Sequence, residues 1–250
     1  MSEWKPIEFG GTYSPRNHYG DDCAPLTPMG EEELAARTDV KVVDLLPGDL
    51  VATAATRVME GQMKQLLSYE SYANGHMAHE DVNVGMLHID AEVTEAEYRM
   101  LYSFLSRNGF LPATFSGAGS WACQCYVADL ASGQWCDTPY STHQDIEYFA
   151  NNPLITKSAT VMVYLANTCA GGGLEIYENR DGGPVNRVGR EIDTHSPPGQ
   201  VRVVLMSGET WHNFARKYGP GKQEIFVFQF GIGPSAAVTA AKSEPAVLTP

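Results

Sequence analysis

The sequence predicts a mainly β domain with helices ahead of it. Short runs of β-branched and aromatic residues fill the C-terminal half, Gly-rich turns separate these runs, and the intervening sequence has no helical periodicity. Strands joined in this way pair antiparallel, and seven or eight of them form a sandwich or a jelly roll. The predicted strands are residues 121–128, 140–145, 158–166, 173–177, 200–206, 210–214 and 224–232.

Two amphipathic helices are predicted before the strands. In residues 48–67, apolar side chains recur at the i, i+3 and i+4 spacing of a helix with one buried face. A second helix begins at Thr94, where Glu97 completes a capping box, and ends at Asn108-Gly109. Residues 1 to about 45 are rich in Gly, Pro and Asn and contain a short acidic helix near residues 31–36. This first segment is interpreted as a surface wrap or lid.

A length of 250 residues with 43% hydrophobic content suits one well-filled core. We therefore expect one domain over residues 1–250. Residues 1–118 supply the N-terminal wrap and supporting helices, residues 119–233 form the β core, and residues 234–250 form a flexible tail.

The net charge and the composition of individual segments restrict the kinds of partner and compartment that we expect. The formal charge of −13 argues against nucleic acid, which usually meets a basic face. A secretory leader and a run of about 20 apolar residues are both missing, so we expect a soluble cytoplasmic protein without a membrane partner. The five cysteines are odd in number and are interpreted as thiols in a reducing compartment. A soft-metal site at Cys123 and Cys125 is the less favoured alternative.

Three of the seven histidines begin a His-x-Asp triplet, which on a strand places an imidazole and a carboxylate on one side. His143-Gln-Asp145 lies within the predicted strand series, and His212 lies on a later strand. His79-Glu-Asp81 falls in a polar loop and His88-Ile-Asp90 precedes the β half, so both are less favoured. Two imidazoles and one carboxylate on one face are the ligands of an oxygen-activating ferrous site.

A longer pattern surrounds these residues: Gly133-Gln134, Tyr140-x-x-His143-x-Asp145, Gly172-Gly173-Leu174-x-Ile176, then His212 with Gly221-Lys222 beyond it. Over residues 121–232 it resembles the prolyl 4-hydroxylase-like branch of the iron(II)- and 2-oxoglutarate-dependent oxygenases. An insertion at residues 135–139 departs from that pattern. The resemblance implies a double-stranded β-helix, a jelly roll of the cupin-like kind, with flanking N-terminal helices.

The resemblance also implies the ligands. His143, Asp145 and His212 would bind iron(II), and Lys222 would pair with the far carboxylate of 2-oxoglutarate. Arg216 and Lys217 are alternative anchors that fit the family spacing less well. The hydroxyl of Tyr126 would also contact the cosubstrate, although a core aromatic explains this residue equally well.

The implied reaction consumes O₂ and 2-oxoglutarate and hydroxylates an unactivated C–H bond. Asp145 favours hydroxylation over halogenation, whereas desaturation and cyclisation use the same ligands. The expected substrate is a free amino acid or related small metabolite, with a peptidyl residue as the alternative. Residues 74–90 and 135–137 are candidate substrate contacts. The acidic composition suits a cationic substrate, and a solvated acidic surface explains it equally well.

Two other functions remain open. A cupin-type iron enzyme that works without 2-oxoglutarate has the same barrel and ligands, but it gives Lys222 no cosubstrate to bind. A non-catalytic β-barrel binding module would leave the three ligands too far apart to share a metal. The sequence does not address the oligomeric state.

Overall fold

The computed structural model describes residues 26–67, 87–114, 119–136, 142–179 and 189–233, with backbone alone at residues 64–67 and 87–90. Several predicted segments lie outside these ranges. They are residues 1–25 of the predicted wrap, the triplet at His79, most of the candidate substrate segment 74–90, and the tail 234–250. Within them, no helix has the length and apolar character needed to cross a membrane.

The helices form where the sequence predicts them. They are α1 (Glu31–Ala36), α2 (Leu50–Leu67) and α3 (Glu95–Arg107). At the start of α3 the Thr94 hydroxyl accepts from the Glu97 backbone N–H at 3.3 Å, and the Thr94 backbone N–H donates to the Glu97 carboxylate at 2.8 Å. This reciprocal pair satisfies two N–H groups that the helix cannot bond itself, which confirms the capping box.

The described residues contain twelve strands. Their bounds are β1 (Val40–Leu45), β2 (Leu87–Asp90), β3 (Gly119–Leu130), β4 (Trp135–Cys136), β5 (Lys157–Asn167), β6 (Ala170–Gly171), β7 (Leu174–Tyr177), β8 (Gly189–Ile192), β9 (Val201–Ser207), β10 (Trp211–Phe214), β11 (Lys217–Tyr218) and β12 (Gly221–Ile232).

Six of the strands form one large sheet in the order β1-β9-β5-β12-β3-β2. The predicted strands near 121–128, 158–166, 200–206 and 224–232 are confirmed as its four central members. The two outer members come from residues ahead of the predicted strands, and the first of them corrects an expectation. Val40–Leu45, expected to belong to the surface wrap, pairs with β9, and Leu87–Asp90 pairs with β3. The large sheet therefore extends into the N-terminal region.

A smaller sheet, β10-β7-β8, faces the large one, and a third short sheet, β4-β11-β6, lies at one end. The chain alternates between the two main sheets: β5 lies in the large one, β7 and β8 in the small one, β9 in the large one, β10 in the small one and β12 in the large one. All pairings between the described strands are antiparallel. This alternation is the double-stranded β-helix, and it confirms the predicted fold class.

Alternate residues of β12 face two different cores, because successive strand side chains point to opposite sides. Phe226, Phe228 and Phe230 face outward and pack against α2 and α3. Ile225 and Val227 face inward, between the two sheets, together with Tyr126 of β3 and Phe214 of β10. The helices therefore cover the outer face of the large sheet, and the barrel interior is left to hold the site.

Candidate metal centre

The structure brings His143, Asp145 and His212 together at one end of the barrel interior. His212 lies on β10, and a pair of backbone hydrogen bonds joins it to His143. The prediction of a strand over residues 140–145 needs correction. His143 forms only an isolated bridge, and Asp145 begins the 3-10 helix Asp145–Phe149. The carboxylate thus reaches the histidines by a turn of the chain rather than by strand alternation.

The three side chains are close enough to share one metal ion. The Nε2 atoms of His143 and His212 each lie 3.6 Å from Oδ1 of Asp145, and the two imidazole centroids are 4.4 Å apart. Adjacent ligand atoms around a metal with bonds of about 2.1 Å stand roughly 3 Å apart, so a small adjustment closes the site. Within the described ranges, no other group of metal-ligating side chains converges in this way.

His212 is fixed in the form that a metal requires. It is 2% exposed, and its Nδ1–H donates to the Thr210 carbonyl at 3.0 Å, so Nε2 carries the lone pair that faces Asp145. Burial lowers the pKa of His212 to about 4, and the neighbouring His143 acts in the same direction, against the attraction of Asp145. The imidazole is therefore neutral at physiological pH.

Asp145 supplies the negative charge. It is 1% exposed, and burial alone would oppose its ionisation. The neighbouring His212 and His143 and the hydroxyl of Thr160 outweigh burial, so the pKa of Asp145 lies below its usual range. Thr160 donates to Oδ2 and the Gln229 amide donates to Oδ1 at 2.9 Å. The carboxylate is thus ionised and held by two neutral donors.

This donor set fits a divalent metal ion of the ferrous kind. Two imidazoles and one carboxylate occupy one side of the site. His143, with 18% of its side chain exposed, lies at the side that is open to solvent. The Tyr148 hydroxyl lies 3.4 Å from Nε2 of His143. Imidazole and carboxylate ligands suit iron(II), whereas a thiolate set would have indicated zinc or an iron–sulfur cluster.

Lys222 does not lie with this group. It stands near the start of β12 on the same face as Phe226, outside the barrel, and its side chain is 43% exposed. Its ammonium pairs with the Glu224 carboxylate at 2.6 Å. The geometry does not support the predicted role of Lys222 as the cosubstrate anchor.

Lys217, the alternative to Lys222, is fully buried. It lies on β11, and its ammonium stands 5.9 Å from the centre of the Phe214 ring, which faces the barrel interior. Phe214 is two residues from His212 on the same face of β10, so Lys217 contacts the same inward face that carries His212. Arg216, the third basic residue considered, is held instead over the Trp135 ring at 4.3 Å.

Tyr126 lies inside the barrel, as a cosubstrate contact must. It is 3% exposed, its ring centre is 5.5 Å from that of Phe214, and its hydroxyl donates to the Gln124 side chain at 2.8 Å. Lys217 and Tyr126 therefore both lie beside the ring of Phe214.

The remaining candidates fall elsewhere. The backbone of His88 lies on the edge strand β2, opposite Tyr126 of β3. Cys123 and Cys125 are buried thiols in the outer core, and Cys136 and Cys169 are also thiols. The packing of Cys123 and Cys125 agrees with the interpretation of two small buried side chains and not with a soft-metal site.

Sequence reasoning missed Thr160 and Gln229, which hold Asp145. Each lies on a predicted strand, and the only signal in the sequence was a polar residue on a strand that is otherwise apolar.

The chain was compared with known proteins. No family model matches it, and no curated protein matches it. Solved structures of similar fold include a Trichoplax adhaerens prolyl hydroxylase in complex with a peptide of the hypoxia inducible factor oxygen degradation domain. That structure is 18% identical, with 86% of this chain and 90% of that chain covered and a TM-score of 0.45.

Two further solved structures are similar. A Pseudomonas putida prolyl-4-hydroxylase is 17% identical, with 80% of this chain and 96% of that chain covered and a TM-score of 0.45. Streptomyces hygroscopicus HygX, with nickel and 2-oxoglutarate bound, is 12% identical, with 82% and 88% covered and a TM-score of 0.43. The solved structures to which this chain is similar thus include 2-oxoglutarate-dependent iron(II) oxygenases.

Proposed function

We propose that this chain is an iron(II)- and 2-oxoglutarate-dependent dioxygenase that hydroxylates an unactivated C–H bond of a small molecule. The observation that carries the proposal is the convergence of the His143, Asp145 and His212 ligand atoms inside a double-stranded β-helix. Two neutral imidazoles and one ionised carboxylate hold iron(II) with one net positive charge and leave three coordination positions open.

When bound, the iron would supply the oxygen-activating chemistry, coupled to oxidative decarboxylation of 2-oxoglutarate. The protein's part is to hold the metal on one side and to keep water from the reacting bond. Asp145 and His212, both almost fully buried, form the closed side, and His143 stands at the open side. A substrate is therefore expected to approach from the side of His143 and Tyr148.

Lys217 is the proposed partner of the far carboxylate of 2-oxoglutarate. A dianionic cosubstrate between the metal and Lys217 would add a charge-assisted hydrogen bond to the contacts that this fully buried ammonium already makes. Tyr126, which also lies beside the Phe214 ring, is a second proposed contact of the same molecule. Anchoring from β11 replaces the anchoring from Lys222 that the family resemblance implied.

For the substrate we propose a free amino acid or a related metabolite, with a peptidyl residue as the alternative. The net charge of −13 favours a cationic substrate over an anionic one, because the field of an acidic protein attracts cations to the mouth of a cleft. The same charge disfavours nucleic acid. Four of the five cysteines are buried as thiols, which supports a reducing, cytoplasmic compartment.

Turnover in air tests this proposal. Purified protein with iron(II), ascorbate and 2-oxoglutarate should form succinate, and a panel of basic free amino acids should raise the rate more than the same residues within short peptides. Stimulation by the peptides alone would move the substrate to a peptidyl residue. Succinate formation no faster than that of heat-denatured protein, across both panels, would contradict the enzyme class.

A further inference from the structure

We propose that Thr160 and Gln229 are positioning residues that keep Asp145 a one-oxygen ligand of the metal. This inference rests on the proposed iron site and concerns how the carboxylate is oriented within it. Each of the two residues acts through its hydrogen bond to Asp145.

The sheet register places the two residues side by side. Thr160 of β5 and Gln229 of β12 are direct partners across the antiparallel ladder, so their side chains leave the sheet at the same level and on the same face. Both are buried, at 0% and 3% exposure, and both reach the carboxylate that begins the 3-10 helix. The register between β5 and β12 therefore places two hydrogen-bond donors beside the carboxylate of Asp145.

Each of the two donors bonds to a different oxygen of Asp145. The Thr160 hydroxyl donates to Oδ2, and the Gln229 amide donates to Oδ1, the atom that lies 3.6 Å from each of the two histidine nitrogens. With Oδ2 engaged by the Thr160 hydroxyl, Oδ1 is the oxygen available at 3.6 Å from each histidine nitrogen. A carboxylate that ligates through both oxygens would take a fourth coordination position, which the cosubstrate or dioxygen requires.

The hydrogen bonding of the Gln229 side chain also supports this role. Its Oε1 is buried and has no hydrogen-bond partner among the described residues, whereas its Nε2 bonds to Asp145. A buried amide with one unsatisfied end is less favourable than an apolar side chain of the same size. The contact with Asp145 gives a physical reason for an amide at this position.

Metal affinity tests the inference without turnover. Mn(II) is the probe, titrated into the purified protein under electron paramagnetic resonance. Thr160→Val and Gln229→Met should each weaken Mn(II) binding by about 10- to 100-fold, the usual effect of losing a partner of a metal ligand. Thr160→Ser, which keeps the hydroxyl, should restore affinity close to that of the wild type.

Ser158→Ala is the matched control. Ser158 lies two residues away on the same face of β5, is 1% exposed, and its hydroxyl has no hydrogen-bond partner among the described residues. Its removal should leave Mn(II) affinity unchanged. All variants are compared only where near-ultraviolet circular dichroism matches the wild type, and if Thr160→Val does not fold, Gln229→Met decides by the same measurement.

A second readout reports the number of ligating oxygens. In Thr160→Val saturated with iron(II), 2-oxoglutarate should have to displace the second carboxylate oxygen, so its half-saturating concentration should rise while that of Ser158→Ala stays constant. Wild-type affinity in both Thr160→Val and Gln229→Met would overturn the inference and leave the proposed function intact. A wild-type protein that binds neither Mn(II) nor iron(II) would instead overturn the proposed function, and the inference with it.

Discussion

Replacing Asp145 by alanine should lower the affinity for iron(II) about a hundredfold or more and abolish succinate formation. Loss of an outer partner of a metal ligand already costs about 10- to 100-fold, and this change removes the ligand itself together with the only carboxylate of the site. Anaerobic iron(II) titration followed by a turnover assay measures both effects.

Glu147→Ala is the control for this change. Glu147 lies two residues further along the same 3-10 helix, but its side chain is exposed. Iron affinity and turnover in that variant should match the wild type. Retention of wild-type iron affinity by Asp145→Ala, in protein that remains folded, would show that the metal is bound elsewhere.

Replacing Lys217 by methionine should raise the concentration of 2-oxoglutarate needed for half-saturation by at least about a hundredfold. Removing one partner of a buried ion pair costs about 3–5 kcal/mol, and each 1.4 kcal/mol is tenfold in affinity. Iron(II) affinity without cosubstrate should be unchanged, because Lys217 is not one of the metal-ligating side chains. Titration of the iron-loaded variant with 2-oxoglutarate measures the shift.

Lys222→Met is the matched comparison, since it removes the same charge from an exposed site paired with Glu224. An exposed pair contributes little, so the 2-oxoglutarate requirement should stay within about twofold of the wild type. The opposite result, with a large shift in Lys222→Met and none in Lys217→Met, would restore the anchor that the family spacing implied.

The helices and strands that could be predicted from the sequence are those that depend on patterns among nearby residues. Thr94 and Glu97 mark the start of α3 because a capping box depends only on residues three apart, and the alternation of β12 follows from the period of a strand. His143, Asp145 and His212 were found because the residue types and the surrounding glycine pattern restrict the chemistry. In each case the prediction depends either on residues that are close in sequence or on a distinctive set of residue types.

Other features depend on pairing between strands that are far apart in the chain. A single sequence does not reveal which strands pair or in which register. Val40–Leu45 becomes a strand through its pairing with β9, about 160 residues away. Lys222 matches the family spacing, whereas the register of β12 places it on the outer face of the sheet, which spacing alone does not reveal. Thr160 and Gln229 become partners of Asp145 only because β5 and β12 pair in one register.

The most direct test is an anaerobic titration of the wild-type protein with iron(II) and then 2-oxoglutarate, followed by visible absorption. Chelation of the metal by the cosubstrate's keto and carboxylate oxygens produces a charge-transfer band. The proposed site predicts a band that saturates at one 2-oxoglutarate per chain, is lost in Asp145→Ala and requires far more cosubstrate in Lys217→Met. Iron binding without a band would contradict the use of 2-oxoglutarate, and the absence of iron binding would contradict the metal centre itself.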